Sequence, residues 1–198
     1  MKVHAIRCRC GQVQGRVQVT GSEMRAVCYC SWCQAFARFL GREELVLDEH
    51  GGTDIVAARP HTMAFTQGLD DLACVSLSPR TLRWYASCCR TAIANTPADW
   101  RMPHAGIVHS CLELDGQALD ESFGPVTMRL ARNEARGTPP AGKVWAAAAG
   151  LAHGIASMIW ARASGRYQRT PFFYGSGKPR AEPLRLAREE VDRLRKPS

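Results

Sequence analysis

The chain has 198 residues, 45% of them hydrophobic, and a formal net charge of +8. That is enough apolar material for one well-buried core, so nine cysteines need not mean a disulfide scaffold. Residues 1–128 carry 12 Lys+Arg against 13 Asp+Glu, and residues 129–198 carry 14 against 5, so the whole excess is C-terminal. A basic solvated face on a helical tail accounts for it. No aromatic-interleaved basic motif accompanies it, so nucleic acid is not an expected partner, while a phosphate- or membrane-facing role for the tail stays open. The opening "MKVHAIRCRCG" has neither a seven-residue apolar run nor a small-residue cleavage site, so no secretory signal is read there. Reduced thiols and a cytoplasmic location are the expectation.

The first part of the chain reads as β. "VHAIRC" and "VQGRVQV" alternate as half-buried strands do, with Cys10-Gly11 as the turn between them. "ELVLDEHGGTDIVAARP" reads as partly loop, turning at Gly51-Gly52. "TMAFTQG", "ACVSLS", "TLRWYAS" and "TAIANT" follow as strands, and "IVHSCLEL" comes after the Pro-containing loop at 97–103. Short strands at such close spacing predict a mainly β, antiparallel fold.

"RGTPPAGK" then punctuates the chain and divides it into a β domain over 1–136 and a C-terminal helical extension over 137–198. Val144 to Ala161 carries no formal charge, but seven of its residues are Ala, which argues against a membrane span. Val144, Leu151, Ile155, Met158 and Ile159 form one helical stripe, with His153 and Ser157 away from it. An amphipathic helix packed on the domain through that stripe is predicted. A Pro/Gly-rich loop with an apolar anchor, "RTPFFYGSGKPRAEP", and a short charged helix near 187–195 complete the tail.

The cysteines carry the chemistry. Cys8-Arg9-Cys10-Gly11 is a short chelating pair whose glycine lets the backbone bend toward a metal, and a later pair would complete four sulfur ligands. Cys88 and Cys89 are the candidates. Adjacent strand residues point to opposite faces, so both reach one ion only if the chain turns there; a vicinal disulfide is the other possibility. Cys28, Cys30 and Cys33 form a second group: Cys28 and Cys30 share one side of an extended segment, and Cys33 returns to it if the chain turns through Ser31 and Trp32. Three ligands with an open position are the pattern of a catalytic metal, whereas completion by a distant Cys74, Cys111 or histidine would make the site structural. Spacing leaves both readings open. A redox relay fits less well, because Cys30-Ser31-Trp32-Cys33 stands in β-rich surroundings. His109 and Cys111 fall on one face of an expected strand, and Cys74 and Cys111 read most simply as small buried hydrophobes.

"CRCG" at 8–11, "CYCSWC" at 28–33 and "RWYASCCRT" at 83–91 together resemble the glutathione-dependent formaldehyde-activating enzyme family, which includes centromere-protein-V-like proteins. The resemblance covers roughly residues 1–125. It implies an Mss4-like zinc-binding β fold, a structural zinc on the outer pairs and a second zinc on the trio, with glutathione-linked formaldehyde as the proposed substrate of that family's better-studied members. The family's last motif is aromatic-Cys-x-x-Cys-Gly-Thr; aligned on Cys89, this chain has Ala86 where the first Cys is expected and Arg90 where the Gly is expected. Cys88 would have to supply the missing sulfur.

The implied activity is that of a carbon–sulfur lyase. Zinc on Cys28, Cys30 and Cys33 would activate a small thiol or thiol adduct, with Arg38, Arg42 or Arg90 as cations able to hold an anionic substrate, unless they are ordinary surface arginines. The competing expectation is a non-catalytic zinc module for a macromolecular partner.

Overall fold

The computed structural model describes residues 2–114, 116–141 and 144–196. The chain forms β1 (Lys2–Arg7), β2 (Gln14–Val19), β3 (Met24–Cys28), α1 (Ser31–Leu40), α2 (Glu43–Val46), β4 (Thr53–Ala58), β5 (Met63–Gln67), β6 (Leu72–Ser78), β7 (Thr81–Ala86), β8 (Thr91–Pro97) and β9 (Ala105–Val108). There follow β10 (Leu112–Glu113), α3 (Leu119–Phe123), β11 (Val126–Leu130), α4 (Val144–Ala163) and α5 (Arg188–Arg195). The protein is mainly β, as its alternating segments predict. A four-stranded sheet runs β10-β1-β2-β5, and a seven-stranded sheet runs β11-β3-β4-β9-β8-β7-β6. Every named pair is antiparallel except β11 with β3, which is parallel.

Two elements depart from the sequence reading. The segment expected to be partly loop contributes β4, an interior strand of the larger sheet between β3 and β9. Val56, Ala57 and Ala58 are consecutive and all buried, so β4 lacks the polar alternation that marks a one-sided strand. The expected strand "IVHSCLEL" is broken. β9 ends at Val108, a 3₁₀ turn spans His109–Cys111, and β10 pairs with β1 in the other sheet. His109 and Cys111 therefore do not share a strand face.

The main core lies between the sheets. Trp84 of β7 is fully buried and donates its indole N–H to Thr96 Oγ1 at 2.9 Å. Phe172 and Phe173, the apolar anchor of the C-terminal loop, insert against it with ring centroids at 5.1 and 5.9 Å, and Phe65 of β5 closes on Phe172 at 5.8 Å. The loop also adds an edge contact: Leu184 bridges Val75, with Ser76 N donating to Leu184 O. The tail is thus built into the core of the β layers.

A second apolar layer forms where α1 covers the other face of the large sheet. Cys33, Phe36, Ala37 and Leu40 recur at helical spacing and are buried, the last three packed with Val46, Val75, Leu77, Ala92 and Val108. Gly41 ends the helix at φ 64°, a left-handed conformation that favours glycine. Leu186, Val191 and Leu194 of the α5 region lie against the same layer, and Arg38 donates to Leu194 O at 2.6 Å.

The helix α4 forms where expected but is turned the other way. Leu151, Ile155 and Ile159 are exposed, whereas Gly154 and Ala161 are buried. Arg59 explains the orientation: its guanidinium donates to Ser157 Oγ at 2.7 Å and to Gly154 O at 2.9 Å, anchoring the small, polar side of the helix. No helix among the described residues is long and apolar enough to cross a membrane.

Candidate metal centres

Two cysteine groups gather their sulfurs, each within 4.8 Å of one another: Cys8, Cys10, Cys88 and Cys89, and separately Cys28, Cys30 and Cys33. All are free thiols.

The quartet joins a turn of each sheet. Cys8 and Cys10 sit in the β1–β2 connection, which Gly11 closes at φ 80° with its N–H donating to Cys8 O at 2.9 Å. Cys88 and Cys89 occupy the β7–β8 turn, closed by Arg90 N donating to Ala86 O at 2.8 Å. This turn resolves the problem of adjacent cysteines, because neither lies in a strand. Arg90 adopts φ 57°, the left-handed conformation that a glycine would take without penalty. Ala86, the position where the resemblance called for a ligand, is the fully buried last residue of β7; Cys88 supplies the sulfur instead. The Cys88 and Cys89 sulfurs are 3.9 Å apart, so no vicinal disulfide is present.

The donor set fits a tetrahedral ion. Metal–sulfur bonds of about 2.3 Å require sulfurs about 3.8 Å apart. Cys8 to Cys10 is 3.5 Å, Cys8 to Cys88 is 3.8 Å, and Cys10 to Cys88 is 3.2 Å. Val13 N donates to Cys8 Sγ at 3.2 Å, as amides do around clustered thiolates. Burial would raise the Cys89 thiol, but hydrogen bonds involving Thr91 and Cys10 outweigh it and bring it down to about 6. Burial raises Cys8 and Cys88.

The trio is built differently. Cys28 ends β3, Cys30 caps α1, and Cys33 lies in the first turn of that helix, so the turn expected at Ser31 and Trp32 is a helix start. Arg25 fixes the strand beneath: it is buried and ion-paired with Asp54 of β4 and Asp120 of α3. Glu134 Oε2 accepts the Ser31 N–H at 2.7 Å and so caps α1 from 103 residues away. Cys28 and Cys33 are buried, and Cys30 reaches the surface.

Hydrogen bonds from Cys28 and Cys30 hold the Cys33 thiol well below its ordinary range, and Arg83 Nη1, 3.7 Å from its sulfur, adds to the effect. Hydrogen bonds with Cys30 and Cys33 raise Cys28. A helix N-terminus also favours negative charge on sulfur. Among the described residues no fourth Cys, His, Asp or Glu joins the trio. Cys74 and Cys111 lie in the core, where burial pushes both thiols up to about 12, and His109 bonds the Asp54 carbonyl through Nδ1 at 3.2 Å.

The expected cations are dispersed. Arg38 pairs with Glu43 at 3.3 Å, whereas Arg42 and Arg90 line a cleft near the C-terminal end of α1. The trio sits at the other, N-terminal end of that helix. Arg83 is the cation beside the trio. Its place in β7, buried between Leu82 and Trp84, is the signal that could have revealed it.

Fold and sites define the class: a mainly β protein with two cysteine clusters, each able to hold a metal ion. Its sequence matches DUF6151, a family of unknown function, over residues 1–183, and the chain belongs to that family. The match does not identify the formaldehyde-activating family. No curated protein matches. Among solved structures, a Rhodobacter sphaeroides structural-genomics protein is similar at 18% identity, covering 63% of this chain and 98% of its own, with a TM-score of 0.41, too loose a likeness to argue from.

Proposed function

We propose that the protein binds two zinc ions, a structural one on Cys8, Cys10, Cys88 and Cys89 and a working one on Cys28, Cys30 and Cys33, and that the latter handles a small thiol or thiol adduct as a carbon–sulfur lyase. The observation that carries this reading is the trio itself: three converging sulfurs, one of them on a half-buried residue, with no fourth ligand among the described residues. Thiolate donors favour zinc over hard cations. The Mss4-like fold and the glutathione and formaldehyde chemistry come from the resemblance of the cysteine motifs.

When bound, zinc would lower the pKa of a substrate thiol and polarise an aldehyde oxygen. The chain's own part is to hold three sulfurs on one side of that centre. Arg83, bonded to Asn95 Oδ1 at 3.1 Å, lies 3.7 Å from Cys33 Sγ and adds to the Cys28 and Cys30 hydrogen bonds that favour its anionic form. Trp32 and Arg195, stacked with the guanidinium 4.1 Å from the ring centroid, border the surface side together with Ser31. In the lyase direction a hemithioacetal gives its hydroxyl proton to water, its carbon–sulfur bond breaks with the electron pair left on sulfur, and aldehyde and thiolate depart. Addition is the reverse.

The test is formaldehyde–glutathione exchange followed by NMR with zinc-loaded wild type and Cys30→Ser, with further aldehyde–thiol pairs as additional arms. Acceleration by the wild type alone supports the reading; no acceleration above buffer overturns it in favour of a non-catalytic zinc module. The burial of Cys28 and Cys33 and the contact of α5 with Ser31 favour that second reading. Its partner would be sought with charge reversals on α5, because deleting the tail would remove Phe172 and Phe173 from the core.

A further inference from the structure

The arginines that do not reach the trio form a site of their own. A cleft of about 330 Å³ opens between α2 and the start of β8, lined by Arg9, Arg42, Leu45, Val46, Arg90, Thr91, Ala92, His109 and Ser110. Three of these residues are cations and none is acidic. Among the described residues neither Arg9 nor Arg42 has an ion-pair or hydrogen-bond partner for its guanidinium. Arg90 is held in place by a bond from Nη1 to Phe39 O at 2.9 Å and lies over the Phe39 ring.

A neutral group points the same way. Among the described residues Ser110 Oγ is buried without a hydrogen-bond partner, although buried hydroxyls nearly always have one. Val46 and Ala92, both buried, supply an apolar wall. Unpaired guanidinium groups, a vacant hydroxyl and an apolar wall are the complement of a small molecule with an oxyanion head and a short apolar body. Guanidinium geometry matches carboxylate and phosphate oxygens in pairs. The volume lies at the lower end of small-molecule sites.

We propose that this cleft binds the oxyanion headgroup, carboxylate or phosphate, of a small molecule. The site is separate from the trio and stands whether or not the trio is catalytic. It is tied to the quartet: Arg9 lies between Cys8 and Cys10, Arg90 follows Cys89, and Arg9 N donates to Thr91 Oγ1 at 3.1 Å. The four-cysteine centre therefore sets the positions of two of the three cations.

The test is an amide NMR titration of the full, zinc-loaded chain with inorganic phosphate and, separately, acetate, against sodium chloride at equal ionic strength. Saturable shifts at Arg42, Thr91, Ala92 and Ser110 are expected with at least one oxyanion, and the stronger arm names the headgroup. Arg42→Gln should weaken that binding about tenfold, while Arg188→Gln on α5 leaves it unchanged. Wild-type shifts that never saturate, match chloride or fall elsewhere would overturn the proposal without recourse to any variant. So would equal binding by Arg42→Gln, or arginine variants that release zinc while no oxyanion saturates, which would assign these cations to balancing thiolate charge.

Discussion

The quartet and the trio use the same donor atom to opposite structural ends. Cys8 and Cys88 are 80 residues apart and draw together a turn from each sheet, whereas Cys28 and Cys33 are five apart and already placed by a strand end and a helix start. Treated as cross-links, the first closes a loop worth about 4.5 kcal/mol of denatured-state entropy and the second about 2 kcal/mol. Exposure runs against the usual association of burial with structure: Cys10 and Cys88 are exposed, and two of the three trio sulfurs are buried. On the proposed reading, the quartet's place between distant turns makes it the stabilising site. Arg25 and Arg83 support the trio from beneath and Glu134 caps the helix start beside it, all contacts made by the chain itself.

The largest break in this comparison is expected from Cys8→Ser. Structural zinc contributes about 10–16 kcal/mol of apparent binding free energy in small peptides, more than a typical domain's whole margin. Cooperative urea unfolding should be lost, and chelator should do the same to the wild type. A chelator-treated wild type with an unchanged midpoint would remove the quartet from its assigned role.

Cys30→Ser should act more gently. Because Cys30 sits at the helix start and reaches the surface, the variant is expected to lose no more than about 2 kcal/mol, with the same unfolding slope against urea. A loss as large as that of Cys8→Ser would erase the distinction between the clusters.

How far this contrast could be read from sequence depends on which signals were local. β1 and β2 follow segments whose alternation marks one buried face, β5 to β8 follow short strand-like runs at close spacing, and the cysteine spacings nominated both clusters. β4 was hidden because burial on both sides erases alternation. The helical start around the trio was obscured by reading Ser31 and Trp32 as a turn after an extended Cys28–Cys30, although Phe36, Ala37 and Leu40 continue Cys33's helical face. The orientation of α4 was not legible. An Ala-rich helix has only a weak apolar side, and Arg59, nearly 100 residues earlier, decides which side packs. The separation of Arg42 and Arg90 from the trio likewise depends on tertiary placement.

The smallest expected effect separates the scaffold's own acid response from loss of metal. Burial and the nearby Arg59 charge lower His104 to about 4. Its unfolded value is about 6.5, so between those values the unfolded chain binds more protons, and stability falls as pH falls through that window. The loss should be about 1 kcal/mol by pH 5.5, reduced in His104→Asn. Urea midpoints from pH 7 to 5.5 check it. An unchanged slope in the variant would assign the whole response to other groups, the thiolates among them.

The account's central claim is that one chain holds two zinc ions at sites of unequal structural weight. Native mass spectrometry of the full protein purified without chelator tests it most directly, with Cys30→Ser measured beside the wild type. The account predicts two zinc ions in the wild type and one in Cys30→Ser, with the variant retaining the compact charge-state distribution of a folded chain. A wild type with fewer than two zinc ions, or a variant that keeps both, would contradict it.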